Sequence, residues 1–199
     1  MPFPLTAYRK KPRAAGSLDT NSWLDAAFRV LAKKGIEAVR VEPLAKSLNV
    51  TKGSFYWHFK DRAALLDAML VSWRQRATLG VIERLERANP SPVGRIRQLL
   101  ALPRIRSTST RDGADIEAAI RLWGRSDPNA ASAVLEIDRL RLSYIKSLLL
   151  ETEGSLPAAA AAMLIYAFML AEASLGPALD PNTCAQCERL LLQWATSRC

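Results

Sequence analysis

Apolar residues recur with a helical period along nearly the whole chain. Trp23, Ala26, Ala27, Val30 and Leu31 keep a 3, 4, 7, 8 spacing and lay one stripe along a first helix. Asp19, Thr20, Asn21 or Ser22 can cap it. Lys33 and Lys34 fall in its last turn, where cations suit the helix dipole, and Gly35 is its stop. A short second helix is expected over 41–48, with Leu44, Ala45 and Leu48 inward. Pro43 is tolerable there because first-turn N–H groups have no intrahelical partner. Asn49-Val50 makes a tight turn, since asparagine accepts the left-handed conformation, and Thr51 is placed to cap a third helix ending near Phe59.

The periodicity continues beyond Arg62. A long helix is expected over 61–88, with Leu65, Leu66, Met69, Leu70 and Trp73 on its apolar side. Further helices are expected over 92–107, 112–125, 129–152, 157–175 and 182–197, separated by breaks rich in Gly, Pro, Asp and Asn. Glycine is sparse and alternating β-branched runs are few, so the fold class is all-α with about nine helices. Three regions follow: a basic arm over 1–18, a compact unit over 19–62, and a larger helical domain over 63–199.

Composition changes this picture mainly through the placement of charge. The chain carries +9, but residues 1–62 hold 12 Lys/Arg against 5 Asp/Glu, whereas 63–199 hold 16 against 14. The basicity therefore sits at one end, as a footprint on a polyanion would. Arg9-Lys10-Lys11-Pro12-Arg13 adds an arm suited to phosphate or a minor groove. Within 51–60, Phe55 and Phe59 share one helix face, while Thr51, Lys52, Ser54, Trp57 and His58 fall largely elsewhere and no acid intervenes. A buried seam opposed by cations, hydroxyls and aromatics suits duplex DNA. Two short helices joined by a tight turn, the second cationic, form a helix-turn-helix.

At this point residues 35–66 resemble the DNA-binding domain of the tetracycline-repressor (TetR) family of bacterial regulators. The family closes its recognition helix with Gly-x-hydrophobic-Tyr-x-His-Phe-Lys and follows it with a leucine-rich helix. This chain has Gly53-Ser54-Phe55-Tyr56-Trp57-His58-Phe59-Lys60, then Asp61, Leu65 and Leu66. Asn49 stands where the family usually has glycine. Arg40 stands where it often has Ser or Thr, losing a cap but supplying a cation beside the DNA backbone. The resemblance implies that the third helix enters a major groove. Thr51, Lys52 and Ser54 then reach bases or phosphates, Lys52 being suited to guanine O6 and N7. Gly53 permits close backbone approach. Tyr56 and His58 resemble a phosphate-binding pair, and Lys60 stands where the fourth helix begins, with a helix N-terminus to add N–H donors. Trp57 either presses on sugar or a thymine methyl, or packs within the protein.

The resemblance also implies a homodimer through helices 157–175 and 182–197, paired as a four-helix bundle. The small residues of 158–162 permit close approach, and Met163, Leu164, Phe168, Met169, Leu170 and Leu175 cover much of the first helix's circumference. Leu190, Leu191, Leu192 and Trp194 add apolar surface on the second. The alternative is that these faces only fill the monomer core. Candidate lining residues for a small-molecule pocket are Trp73, Leu102, Trp123, Tyr144, Tyr166 and Phe168. Arg121 and Asp138 form an internal pair or lie exposed. Cys184 and Cys187 form a single C-x-x-C on one helix face, fitting buried interface residues better than a metal or redox site.

One histidine and no Ser–His–acid set argue against catalysis, and no metal or cofactor is expected. No secretory signal is evident, and the apolar stretch near 156–170 is too short to span a bilayer comfortably. The expectation is a cytoplasmic, homodimeric repressor that leaves a palindromic double-stranded DNA operator when a small-molecule effector binds, with no membrane partner. An activator or an effector-independent regulator is the alternative. A thiol enzyme and a general DNA-compaction protein are the remoter ones.

Overall fold

The computed structural model describes residues 19–197, apart from 89–90, 110–111, 153 and 155. The basic arm 1–18, the Asn89-Pro90 break and Cys199 lie outside the described residues. Helix α1 spans Thr20–Lys34, α2 Val41–Ser47 and α3 Lys52–Tyr56. Helix α4 runs over Arg62–Arg74, passes through a π turn at Gln75–Leu79 and continues over Gly80–Ala88. Next come α5 (Pro92–Ser109), α6 (Asp112–Trp123), α7 (Pro128–Leu150), α8 (Ala158–Leu175) and α9 (Pro181–Thr196). Among the described residues this is an all-helical fold of nine helices, as the periodicity predicts.

The local stops and starts have simple causes. The Asp19 carboxylate accepts from the Ser22 N–H at 2.9 Å, so Asp19 is the cap of α1. Gly35 closes α1 at φ 76°, its N–H donating to the Leu31 carbonyl. Asn49 takes φ 55° in the turn between α2 and α3, the left-handed conformation expected of it. Thr51 occupies the cap position of α3, but its side chain makes no capping bond, contrary to expectation. Helix α3 is also shorter than expected, ending at Tyr56 with Trp57 and His58 in a turn. Asp61 must be extended to accept from the Ala64 N–H and start α4, and that leaves little chain for another turn.

Two clusters form the interior. The first joins Trp23, Phe28 and Leu31 of α1, Leu44 of α2, Phe55 and Phe59, and Leu65, Met69 and Trp73 of α4. It also takes in Ile120 and Trp123 of α6 and Ile137 of α7, so the helix-turn-helix shares a core with the helical domain. The second joins Val81 and Leu85, Ile96 and Leu100 of α5, Ile145 and Leu148 of α7, and Ile165 and Tyr166 of α8. The π turn lies between the two. There the Gly80 N–H donates to the Gln75 carbonyl, five residues back, so one extra residue is held within an otherwise regular helix. Apolar periodicity does not signal this.

Helix α8 is 18 residues long with mean hydropathy 1.7, enough by length and composition alone to cross a bilayer. Its inner face nevertheless buries Tyr166, whose hydroxyl bonds to side chains of α6 and α7 that a lipid-embedded helix would forgo. The loop before α8 closes on the end of α9. A β-carbon on Gly154 would lie 2.0 Å from the Ala195 carbonyl oxygen, and the Thr152 hydroxyl donates to that oxygen at 3.3 Å. Gly154→Ala is therefore expected to lower stability by about 1–3 kcal/mol, through a backbone shift, in denaturant unfolding. An unchanged midpoint would show that the loop yields freely.

Candidate nucleic-acid interface and a cavity in the helical domain

Helix α3 is fixed from behind by aromatics. Phe55 is fully buried, with its ring 5.3 Å from that of Trp23 in an edge-on contact and 5.3 Å from that of Phe59. Such pairs add about 0.5–1.5 kcal/mol each beyond burial, so the helix is a rigid platform. Its outer side presents Thr51, Lys52 and Gly53, all exposed, with Ser54 half-buried. Tyr56 is 60% exposed and Trp57 85%, so Trp57 is not a packing residue in this chain. His58 is half-buried, with Nδ1 3.3 Å from the Thr20 hydroxyl at the start of α1. Lys60 is exposed beside it.

Charge on this face is less simple than the absence of acid from 51–60 suggests. Lys52 forms an exposed ion pair with Glu42 of α2, and the bond from its ammonium holds the Glu42 carboxyl below the usual range. Lys52 must leave Glu42, or share it, to reach a base. Arg40 sends its Nε to the Glu37 carbonyl at 2.9 Å, which orients the exposed side chain at the start of α2. At the start of α4, Asp61 already accepts from the Ala64 N–H, so that terminus offers fewer donors to a phosphate than the sequence suggests. Arg62 donates to the carbonyls of Val39 and Ile36 at 2.7 and 2.9 Å. It thereby locks the loop before α2 onto α4.

Behind this unit, α4, α5, α6, α7 and α8 enclose a cavity of about 380 Å³. Val81, Ile82, Leu99, Leu102, Ile145, Met169 and Leu170 line most of it. One end is polar. Arg121 of α6 donates Nη1 and Nη2 to the Asp138 carboxylate at 2.9 and 2.6 Å, and Nη2 also to Glu117 and the Tyr166 hydroxyl. Arg141 of α7 donates Nη1 and Nη2 to Glu117 at 2.6 and 3.0 Å. Its Nε reaches the Thr78 hydroxyl at 3.1 Å, and Nη2 the Ala77 carbonyl at 3.3 Å, both in the π turn. Burial alone would raise the Glu117 and Asp138 carboxyls. The arginines beside them outweigh it and hold both below their ordinary values. Burial pushes the Tyr166 phenol up.

The family model described as bacterial regulatory proteins, tetR family, matches residues 24–69, which run from α1 into α4. Residues 24–69 of this chain therefore form a TetR-family domain. That family is one of transcription regulators, not enzymes. Tetracycline repressor protein class D of Escherichia coli is 39% identical over 54 residues, 27% of this chain and 25% of that repressor's length. Among solved structures, a TetR-family transcriptional regulator from Agrobacterium tumefaciens superposes with TM-score 0.74 at 16% identity, covering 89% of this chain and 97% of that one. AibR, solved in complex with isovaleryl coenzyme A and operator DNA, superposes with TM-score 0.66 at 13% identity, covering 89% and 99%. At such identities the likeness is one of fold.

The residues singled out from the sequence fall into two places. Arg40, Thr51, Lys52, Gly53, Ser54, Tyr56, Trp57, His58 and Lys60 all lie on or beside the α2–α3 unit. Leu102, Tyr144 and Tyr166 line the cavity, whereas Trp73, Trp123 and Phe168 do not. Trp73 and Trp123 are buried in the first core cluster, where large aromatics fill the joint between α4 and α6. Phe168 packs at the edge of the second. Arg121 and Asp138, left open between paired and exposed, are paired. Cys184 is buried and Cys187 half-buried, both as free thiols. Glu42, Arg62, Glu117 and Arg141 were not foreseen. The signal for the cavity pair was present: Glu117 and Arg121 stand four apart and Asp138 and Arg141 three apart, each on one helix face. That spacing is equally common on solvated faces.

Because both carboxyls are depressed below their ordinary values of 4.5 and 3.8, their stabilising contribution is complete above those values and is lost as pH falls through the folded values. Glu117→Gln, which leaves Arg141 with an uncompensated buried charge, is expected to cost about 3–5 kcal/mol at neutral pH. In unfolding curves taken down to about pH 3, that deficit should shrink as the native carboxyls protonate. A deficit independent of pH would refute the ionic role.

Proposed function

We propose that this chain is a homodimeric DNA-binding transcriptional repressor that acts in the cytoplasm and is released from a palindromic operator by a small-molecule effector held in the cavity. The observation that carries the DNA-binding part is the rigid α3. Phe55 and Phe59 are anchored in the core, while Lys52, Tyr56, Trp57 and Lys60 stand outward within the segment that matches the TetR family. Thr51, Lys52 and Ser54 are the reading residues. Arg40, Tyr56, His58 and Lys60 hold the phosphate backbone, and Trp57 lays its ring on sugar or a thymine methyl. Gly53 has only the Thr51 hydroxyl oxygen near its missing β-carbon, at 3.6 Å, so its role is close approach to DNA and not tight packing in the free protein.

The dimer reading is supported by what α8 and α9 leave uncovered. Met163, Leu164 and Leu175 of α8 and Leu190 and Trp194 of α9 are exposed, while Ala161, Ala162 and Ile165 of α8 face inward. A helix apolar on both sides needs two partners, and the monomer supplies one. A second copy of the same face gives a two-fold assembly whose paired α3 helices match two half-sites about one DNA turn, or a multiple of it, apart. The effector reading is supported by the apolar cavity and its polar end. AibR, with its isovaleryl coenzyme A and operator DNA, gives a precedent on the same fold. An effector releases DNA only by binding the DNA-incompetent shape more tightly.

Two measurements check this. In selection from random duplexes, Lys52→Ala is expected to change the preferred bases, losing about 1–3 kcal/mol of discrimination at one position. Lys60→Ala should weaken all sequences alike and lower the salt slope by about one. Unchanged preference in Lys52→Ala would remove its base-reading role. For the dimer, Leu164→Glu should give a monomer in sedimentation and abolish binding to a two-half-site operator while helical content is kept. A dimer that survives this change places the interface elsewhere.

A further inference from the structure

Both arginines in the cavity wall are already paired with carboxylates of the same wall, and this restricts what can enter. Among the described lining residues the cations are Arg121 and Arg141, and both are engaged by carboxylates, the buried Nε of Arg121 alone lacking a partner. Arg121 spends both terminal nitrogens on Asp138, Glu117 and Tyr166. Arg141 uses all three nitrogens on Thr78, Glu117, Tyr166 and Ala77. A carboxylate or phosphate entering here would have to displace Glu117 or Asp138, or sit beside them without a counter-charge. Asp115, an exposed residue of the cavity lining, adds a third carboxylate at its edge. Like charges brought together at such partly buried groups repel more than they would in bulk water.

The rest of the described lining is apolar apart from neutral polar groups, among them the hydroxyls of Thr78 and Ser174. Tyr144 and Tyr166 bring phenols. Pro103 lies inside α5 and has no N–H for the carbonyl of Leu99 one turn back, and both residues line the cavity. That carbonyl lacks its usual helical donor, and a ligand able to reach it would have to donate a hydrogen bond, as a hydroxyl does and an anion does not.

Resting on the reading of this cavity as the effector site, we propose that it selects an electrically neutral, largely hydrocarbon effector bearing a hydroxyl or carbonyl, and discriminates against carboxylates, phosphates and acyl-coenzyme A esters. The isovaleryl coenzyme A of AibR is thus not the model for this chain's ligand class, although the folds superpose.

The test is a matched series titrated into the full-length protein by calorimetry: decanol, decanoate, decanoyl-coenzyme A and decyltrimethylammonium. Decanol is expected to bind about tenfold or more tighter than the two anions and tighter than the cation. Glu117→Gln, which frees Arg141, should narrow or invert the preference over decanoate. Met169→Trp, which fills the apolar part without touching the paired charges, should abolish decanol binding and distinguishes the cavity from the surface. Should decanoate, decanoyl-coenzyme A or the cation match or exceed decanol in a Met169→Trp-sensitive manner, the neutral class is overturned and the cavity stands as the effector site. If no compound binds, or if binding ignores Met169→Trp, the cavity reading fails and this proposal with it.

Discussion

The guanidinium of Arg141 is the contact on which the two ends of the molecule converge. It reaches Glu117 of α6 and the Tyr166 hydroxyl of α8 while holding the Ala77 carbonyl and Thr78 hydroxyl of the π turn. Thr78 is almost completely buried, and the turn keeps one residue more than an α-helix would. Such a turn persists only where its surroundings over-determine it. Here they do so through a side chain that also forms part of the cavity wall. On the opposite side of the same turn, Arg76 reaches Asp25 and Asn21 of α1. Consecutive residues 76, 77 and 78 thus touch the helix-turn-helix unit in one direction and the cavity in the other.

Removing either partner from the network would be costly, yet the network is not what makes the protein stable. Paired buried charges return about what their desolvation costs, and apolar replacements of similar volume are often as stable. What the pairing confers is geometry: two guanidinium groups meet two carboxylates and a phenol, fixing α4, α6, α7 and α8 against one another and leaving only the Arg121 Nε without a partner. The same closure makes the polar end of the cavity neutral, which turns a structural device into a rule about ligands.

Much of this was legible in the sequence, for reasons that differ by residue. Helix existence was legible because apolar spacing and caps agree, as with Asp19, Gly35 and the Trp23–Leu31 stripe in α1. The unit around Phe55 was legible because an uninterrupted string of chemically distinct residues leaves little freedom in its assignment. The π turn was not, since one extra residue disturbs hydrophobic phase too little to detect over a single turn. Trp73 and Trp123 misled for a related reason. A large aromatic at helical spacing is the same letter whether it fills a core or lines a cavity, and only the packing of α4 on α6 decides. Lys52 showed the converse limit: its partner Glu42 lies on another helix, so a face free of acid in sequence is not free of acid in space.

Magnitudes indicate which element would transmit a change between the cavity and α3. The Arg76–Asp25 pair is about half exposed, and such pairs contribute roughly 0–1 kcal/mol. Against it stand Ile120 and Trp123 of α6, buried in the first cluster with α1 and α4, where each such side chain is worth about 1.5–3 kcal/mol. The apolar contact is the stronger tie by several-fold. Helix α6 therefore carries Ile116, Ile120 and Trp123 into the core beneath the helix-turn-helix, and Glu117 and Arg121 into the cavity wall. It is a short helix with one face in each compartment. A ligand that shifts Glu117 cannot leave Trp123 where it was, because a packed interior does not deform continuously. If a ligand acts through this cavity, the α6 core is the tie that would move the unit bearing α3, and the exposed ion pair would only set the register of α1 on the π turn.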